Sequence, residues 1–159
     1  MRILAIDPGY GRVGIAIVDK EKGQKEKVVF SECFETDSKL AFADRLVLVK
    51  NRVKKVVEEF TPTVAGTEIL YMAKNRKTAI DVAHARGVII AEIRSAGIPV
   101  KEYNPGQIKI ALTGHGASDK KQVRKMVEII LGETFDKEAK DDEWDAVAIG
   151  LTVAAIERE

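Results

Sequence analysis

Cysteine is almost missing from this chain, and long apolar runs are missing altogether. The only cysteine among 159 residues is Cys33, so an internal disulfide framework is excluded, and no Cys/His cluster has the spacing of a zinc site. We expect Cys33 to be a small core or edge-strand residue. The apolar run from Met1 to Ile6 is too short for a signal peptide or a membrane span. We therefore expect a cytoplasmic protein with no membrane contact.

A large excess of charge of either sign is also missing. The formal net charge is +1, so a basic total does not indicate a nucleic-acid partner, and the distribution of charge decides instead. Charges between Lys101 and Lys125 are mostly basic, whereas the stretch from Glu128 to Glu143 is largely acidic. This asymmetry is typical of a protein that holds a polyanion beside an acidic pocket.

The length limits the architecture. A chain of 159 residues fits one domain over residues 1–159 and buries a real core. It is too short for the two lobes that an actin-like or sugar-kinase-like ATPase closes over a nucleotide. That class of phosphate-binding enzyme is therefore disfavoured.

The first half of the chain reads as a small sheet followed by a helix and a buried strand. The first three strands are joined by short turns, which predicts antiparallel neighbours. Asp37 or Ser38 is a plausible N-cap for a long helix that runs to about Phe60. The predicted strands are Arg2 to Asp7, Val13 to Asp19, Lys27 to Phe34 and Thr63 to Leu70.

The second half alternates helices with one further strand, which predicts an α/β fold with a mixed sheet and helices on both faces. The helix from about Asn75 to Ala96 is apolar or small around much of its circumference. It is either sandwiched within the domain or packed against a second copy, and we favour a homodimer. The remaining predicted elements are a strand from Ile98 to Tyr103 and helices from Asn104 to Leu112, from Ser118 or Asp119 to Leu131, and from Lys137 to near the end.

Four carboxylates stand at positions where acidic residues are informative. Asp7 ends the first strand, and Glu68 interrupts a buried strand, where an unpaired charge is costly. Asp142 and Asp145 lie three apart on a helix and so share one face. Taken singly, Asp7 also fits a turn-forming role, and the pair fits an acidic first helical turn. If the last helix packs near the ends of the first and fourth strands, all four meet in one pocket.

Such a pocket requires cations. Two carboxylates about 4 Å apart repel by roughly 4 kcal/mol at an effective dielectric of 20. Ligands that are all oxygen select Mg²⁺ or Mn²⁺ over zinc. Two ions about 3.5 to 4 Å apart can activate a water on one side of a phosphodiester and stabilise the leaving oxygen on the other. The sequence therefore predicts two-metal nuclease chemistry.

Several motifs are spread nearly end to end along the chain: Ile6-Asp7-Pro8-Gly9, Glu68 with Tyr71-Met72-Ala73-Lys74-Asn75, Ala85-Arg86-Gly87, Gly114-His115-Gly116 and Asp142-Glu143-Trp144-Asp145-Ala146. Together they resemble those of the RuvC family of Holliday-junction resolvases. The resemblance implies an RNase H-like fold whose five-stranded mixed sheet has three antiparallel and then two parallel strands. It implies a Mg²⁺-dependent endodeoxyribonuclease of recombination and repair, a homodimer that nicks branched DNA symmetrically, with a branch-migration helicase as a further partner. Its catalytic, metal-binding carboxylates would be Asp7, Glu68, Asp142 and Asp145.

The resemblance also assigns DNA contacts. Tyr71 would stack on an unpaired base at the junction centre, although it also fits an ordinary core tyrosine. Lys109 and Lys120 would lie near the scissile phosphate, with Lys120 taking part in catalysis; each also fits a solvated lysine. Looser contacts to the DNA backbone are expected of Lys74, Asn75, Arg76, Lys121 and Arg124.

Two departures and two alternatives accompany the resemblance. Trp144 is bulky between the paired aspartates, and His115 lies between two loop glycines, so either is a candidate to alter metal geometry or junction preference. The turn at Asp7 also suits the YqgF-type nucleases that act on RNA, although the segment from Met72 to Asn75 argues against that group. The non-enzymatic alternative is a junction-binding module, which would bind without nicking when Mg²⁺ is added.

Overall fold

The computed structural model describes residues 1–70, 76–132, 134–135 and 138–157, without the side chains of residues 76 and 77. This part of the chain contains five strands and five helices, in the order βββαβαβααα. The strands are β1 (Arg2–Asp7), β2 (Arg12–Asp19), β3 (Lys27–Glu35), β4 (Val64–Glu68) and β5 (Val100–Tyr103). The helices are α1 (Phe42–Phe60), α2 (Arg76–Ser95), α3 (Pro105–Thr113), α4 (Lys120–Leu131) and α5 (Asp141–Ile156).

The five strands form one mixed sheet in the order β3-β2-β1-β4-β5. The first three strands are antiparallel neighbours, and β1 pairs in parallel with β4, as β4 does with β5. This arrangement confirms the predicted mixed sheet. It makes β1 the central strand, so that residues at its end lie in the middle of the sheet edge.

Two apolar layers cover the sheet because strand side chains alternate between its faces. Ile3 and Ala5 of β1 belong to the layer that contains α3, α4 and α5. Leu4 and Ile6 belong to the opposite layer, with α1 and α2. The centres of both layers are buried, and the β1 core residues are fully buried.

Several element boundaries differ from the prediction. The first helix begins at Phe42 after Ala41, not after Asp37 or Ser38. The Asp37 carboxylate instead accepts a hydrogen bond from the Lys39 backbone N–H at 2.9 Å, so it stabilises a local turn. The last helix begins at Asp141 instead of Lys137, which lies outside the described residues. The fourth and fifth strands are also shorter than predicted.

Helices α3 and α4 begin where the sequence predicted, directly after Asn104 and Asp119. Asn104 and Asp119 each accept a hydrogen bond from the backbone N–H three residues later, and a glutamine side chain closes each capping box. These reciprocal bonds satisfy N–H groups that the helix itself cannot bond.

Helix α2 buries one stripe of side chains and exposes another. Ala85, Ile89 and Ile93 are buried against the sheet layer, whereas Ile80 is 57% exposed. The alternative in which α2 is sandwiched within the domain is therefore wrong.

The most buried helix is α5, which packs across the sheet with Ala146 to Ala154 buried. It is apolar but has only 16 residues. No helix in the described part of the chain combines the length and hydropathy needed to cross a membrane.

Cys33 lies on β3, the edge strand next to β2, and is half-buried. Its predicted place as a core or edge-strand residue agrees with the structure.

Candidate active site

Asp7 and Glu68 lie side by side at one edge of the sheet. Each is the last residue of its strand, and β1 pairs with β4 in parallel with Ile6 opposite Thr67. Asp7 continues the alternation of Ile3 and Ala5, so its side chain points to the α5 face. Glu68 follows the alternation of Val64 and reaches the same face.

Helix α5 brings the other two carboxylates to this edge because a glycine lets it approach the sheet. Gly14 pairs with Asp7 across β1 and β2. A Cβ on Gly14 would overlap the backbone carbonyl of Asp142, and one on Gly66 would overlap Val153. The first turn of α5 therefore lies directly over the strand beside Asp7. Neither glycine was predicted to be part of the site, although an isolated glycine inside a strand is a signal of close backbone approach.

The electrostatics show that the four carboxylates share one neighbourhood. Burial, followed by the charges of Asp145, Asp142 and Glu68, raises the pKa of Asp7 to about 8. Burial and then the Asp145 charge raise the pKa of Glu68. Burial also raises the pKa of Asp145. The structure therefore gathers the predicted set in a place that disfavours full ionisation without cations.

Lys120 supplies a cation to this cluster. Its Nζ lies 2.9 Å from Asp145 Oδ2 and 3.2 Å from Asp141 Oδ2. Burial lowers the pKa of Lys120, but the hydrogen bonds and charges of Asp145 and Asp141 outweigh burial and raise it. An ammonium at the start of α4 thus neutralises part of the acidic cluster.

The donor set suits a hard divalent cation. All four candidate ligands are carboxylates, and three have a raised pKa, which a bound cation would reverse. Within the described ranges, no three Asp, Glu, His or Cys side chains are close enough to hold a single ion as they stand. Coordination of one ion by three of these side chains would therefore require them to lie closer together.

Two clefts adjoin the carboxylates, one on each side. The first, the lysine cleft, has a volume of about 230 Å³ and is lined by Glu68, Pro105, Ile108, Lys109, Lys120, Val123, Asp145 and Ala148. The second, the arginine cleft, has a volume of about 380 Å³ and is lined by Asp7, Pro8, Gly9, Tyr10, Gly11, Arg12, Arg45, Thr78, Val82 and Asp142. Each cleft thus contains two of the four carboxylates.

The predicted DNA-contacting residues are distributed unevenly. Lys109 and Lys120 line the lysine cleft. Arg124 is ion-paired with Asp141, and Lys121 is exposed on α4 without lining either cleft. Tyr71, Lys74, Asn75 and the Arg76 side chain lie outside the described residues.

Neither departure from the family pattern enters the cluster. Trp144 is buried with its ring centroid 4.7 Å from that of Phe135, and the Arg124 guanidinium lies 5.1 Å from the Trp144 ring centroid. His115 is exposed in the loop before α4. Trp144 therefore supports α4 and α5 from within the core.

Three charged residues near the site were not selected from the sequence. Asp141 pairs with both Lys120 and Arg124. Arg12 Nε lies 3.3 Å from Asp142 Oδ2, and Arg45 lines the arginine cleft. The position of Asp141 beside Asp142 is a usable signal, but Arg12 and Arg45 are ordinary surface basic residues by pattern.

Solved structures with the same fold define the general class. The structure of T. thermophilus RuvC in complex with a Holliday junction substrate matches with a TM-score of 0.91 and 31% identity, covering 98% of this chain and 93% of that one. The yeast mitochondrial Holliday junction resolvase Ydc2 matches with a TM-score of 0.72 at 16% identity, covering 97% of this chain and 78% of that one, which supports the fold alone. The chain thus has the predicted RNase H-like nuclease fold.

Sequence similarity then identifies the family. The model for crossover junction endodeoxyribonuclease RuvC matches residues 3–153. The RuvC of Thermosipho melanesiensis is 38% identical over 155 residues, which cover 97% of each chain. That of Finegoldia magna is 42% identical over 152 residues, which cover 95% of this chain and 91% of the relative. The chain belongs to the RuvC family of crossover junction endodeoxyribonucleases, which are metal-dependent nucleases.

Family membership decides between the functions considered from the sequence. It makes the chain an enzyme of DNA recombination and repair. The non-enzymatic module and the RNA-processing nuclease are therefore disfavoured.

Proposed function

We propose that the chain resolves Holliday junctions with Asp7, Glu68, Asp142 and Asp145 as ligands of two Mg²⁺ ions, for which Mn²⁺ can substitute. The observation that carries this proposal is the meeting of four carboxylates at the end of the central strand, where the pKa of Asp7 is raised to about 8 by burial and by its acidic neighbours. An all-oxygen site of this charge favours hard divalent ions. We place the activity in the cytoplasm, within a single nuclease domain.

When bound, the ions would activate a water and offset charge on the leaving 3′ oxygen. The protein's own contribution is to place the scissile phosphate against the carboxylates. Lys109 and Lys120 line the cleft beside Glu68 and Asp145, where an ammonium can hold a non-bridging phosphate oxygen. Lys120 would leave Asp145 for the phosphate while Asp141, 66% exposed at its side chain, keeps it near.

The substrate is a four-way junction, as in the solved complex of the Thermus relative. We propose that Tyr71 stacks on an unpaired base at the junction centre, since such stacking is worth about 1 to 3 kcal/mol per base. Lys74, Asn75, Arg76, Lys121 and Arg124 would contact the DNA backbone. A branch-migration helicase would deliver the junction.

Symmetric nicking requires two active sites, and α2 offers a surface for a second copy. Ile80, Ala83, Gly87 and Ala91 are exposed at spacings that place them along one side of the helix. An exposed apolar stripe of this kind suits a two-fold interface, in which the same patch is used twice. We propose that α2 forms the homodimer contact.

An Ile80→Asp variant tests the dimer, because it would bury a carboxylate in the proposed interface. We expect sedimentation to show a shift toward monomer and junction cleavage to lose paired nicks. Ile129→Asp is the control, since Ile129 is 55% exposed on α4, away from α2. A dimer of unchanged affinity in Ile80→Asp would contradict the use of this face.

The function itself is tested by mapping nicks on a mobile four-way junction with Mg²⁺, with Mn²⁺ and with a chelator. We expect paired nicks at symmetric positions with either metal and none with the chelator. Asp7→Asn and Glu68→Gln should bind the junction but lose several kcal/mol of transition-state stabilisation, which corresponds to on the order of 10³-fold in rate. Full nicking by either variant would refute the assignment of these ligands.

A further inference from the structure

Two arginines of α1 stack on aromatic rings, but they differ in whether a carboxylate pairs with the guanidinium. The Arg52 guanidinium lies 5.5 Å from the Phe30 ring centroid and is paired with Glu32. The Arg45 guanidinium lies 4.6 Å from the Tyr10 ring centroid. Within the described ranges, no carboxylate lies at ion-pair distance from Arg45. Arg45 is therefore a fixed cation that has no counter-ion among the residues that the structure describes.

Uncharged groups hold Arg45 in place. Its Nε donates to Thr36 Oγ1 at 2.8 Å, and Thr36 Oγ1 in turn donates to the Tyr10 carbonyl at 2.6 Å. The Tyr10 ring is fixed by an edge contact to Phe42 at 5.4 Å between ring centroids. These contacts use one N–H and one face of the guanidinium, which leaves the N–H donors of the two Nη groups for a ligand of the cleft that Arg45 lines.

Arg45 lies where a cation could bind DNA beside the carboxylates. Arg45 lines the same cleft as Asp7 and Asp142, whereas the lysine cleft lies against Glu68 and Asp145. An endonuclease cuts inside a strand, so the DNA must continue on both sides of the scissile phosphate. Lys109 and Lys120 can contact the DNA strand only where it passes through the lysine cleft.

On the other side, Arg12 is paired with Asp142 at 3.3 Å. Among the described residues that line the arginine cleft, this leaves Arg45 as the cation that is not committed to an acid. A guanidinium fork matches the geometry of a phosphate, and pre-organisation reduces the entropy lost on binding.

We propose that Arg45 binds a backbone phosphate of the cleaved strand on the side of the scissile phosphate opposite Lys120, with Tyr10 and Thr36 as positioning residues. This inference rests on the proposed function, which places the scissile phosphate at the four carboxylates. It assigns the arginine cleft as the second half of a continuous strand-binding path through the active site.

The test compares Arg45→Gln with Arg52→Gln for binding to a four-way junction in the presence of chelator, over a series of salt concentrations. Loss of one phosphate contact should reduce the slope of log Kd against log salt by about 0.7 to 0.9. Affinity should fall roughly tenfold at low salt. Arg52→Gln, which loses an arginine from the same helix, should keep the wild-type slope. A wild-type slope in Arg45→Gln would overturn the proposal.

Two further variants separate binding from folding. Arg45→Lys keeps the charge but loses the fork, and Thr36→Val keeps the arginine but loses its anchor. Each should retain the salt slope and weaken binding several-fold without a large change in thermal unfolding. If Arg45→Gln does not fold, wild-type affinity in both of these variants would overturn the proposal. Absence of nicking by the wild-type chain would instead count against the proposed function, because the salt slope is measured without cleavage.

Discussion

The two clefts beside the carboxylates differ in what their cations contact. In the lysine cleft, Lys120 lies between Asp145 and Asp141. In the arginine cleft, Arg45 is held by a hydroxyl and an aromatic ring. A cation that is already bound to an acidic ligand must exchange partners when metal and DNA arrive, whereas an uncommitted cation is ready for phosphate. We therefore expect Lys120 to control rate and Arg45 to control affinity.

Lys120→Ala should give the largest effect and tests the first half of this comparison. Removing one preorganised charge donor from an active site costs on the order of 10²-fold in rate. We expect single-turnover nicking of a junction to slow by that amount while Kd changes by less than about threefold, because one exposed cation adds little to binding. The pattern should be the reverse of that for Arg45→Gln.

Lys125→Ala is the matched control, since Lys125 is an exposed lysine of the same helix and lines neither cleft. Wild-type turnover in Lys120→Ala would show that this lysine is a bystander.

Stability measured over a pH series compares one carboxylate from each cleft. Asp7 lies in the arginine cleft, and Asp145 lies beside Lys120 in the lysine cleft. Burial and then three acidic neighbours raise the pKa of Asp7 to about 8, well above the usual value of an aspartate. A raised carboxyl pKa contributes stability below the unfolded value, which is lost as the pH rises through the folded value. The metal-free protein should therefore lose stability between about pH 4 and pH 8.

Asp7→Asn should remove most of this dependence. In chelator, its Tm at pH 9 should exceed that of the wild type by at least about 2 to 4 °C, the shift that 1 kcal/mol produces in a chain of this size. Asp145→Asn should gain less, because the Lys120 hydrogen bond lowers the pKa of Asp145 against the effect of burial. Parallel Tm profiles for the wild type and Asp7→Asn from pH 5 to pH 9 would contradict the assignment.

Part of the site and of the fold could be predicted from local patterns in the sequence. Asp7 and Glu68 were selected as candidates because strand ends and interrupted apolar runs are local patterns, and the mixed sheet followed from the order of strands and helices. Arg45 and Gly14 were missed because their roles depend on packing between distant segments: α1 on the turn after β1, and α5 on β2.

One local signal was misleading for a physical reason. Asp37 has the chemistry of an N-cap, but its side chain bonds the Lys39 N–H in a turn, and α1 begins five residues later at Phe42. A side chain that can bond nearby backbone N–H groups serves a turn as well as a helix. Such a residue indicates that an element begins nearby without giving its first residue.

Asp141→Asn should give the smallest effect. It tests whether Asp141, the second carboxylate paired with Lys120, weakens the pairing of Lys120 with Asp145. Asp141 pairs with both Lys120 and Arg124 and is an exposed partner, so the loss should be limited to about 0.2 to 1 kcal/mol. Lys120 would then bind Asp145 more fully and compete better with metal. We expect the Mg²⁺ concentration for half-maximal nicking to rise about two- to fivefold, with the rate at saturating Mg²⁺ unchanged.

Glu143→Gln, on the same turn of α5 but bonded to Ser31 on β3, is the control. A lower Mg²⁺ requirement in Asp141→Asn would mean that Asp141 holds Lys120 toward Asp145, and the exchange of partners inferred for the lysine cleft would then be wrong.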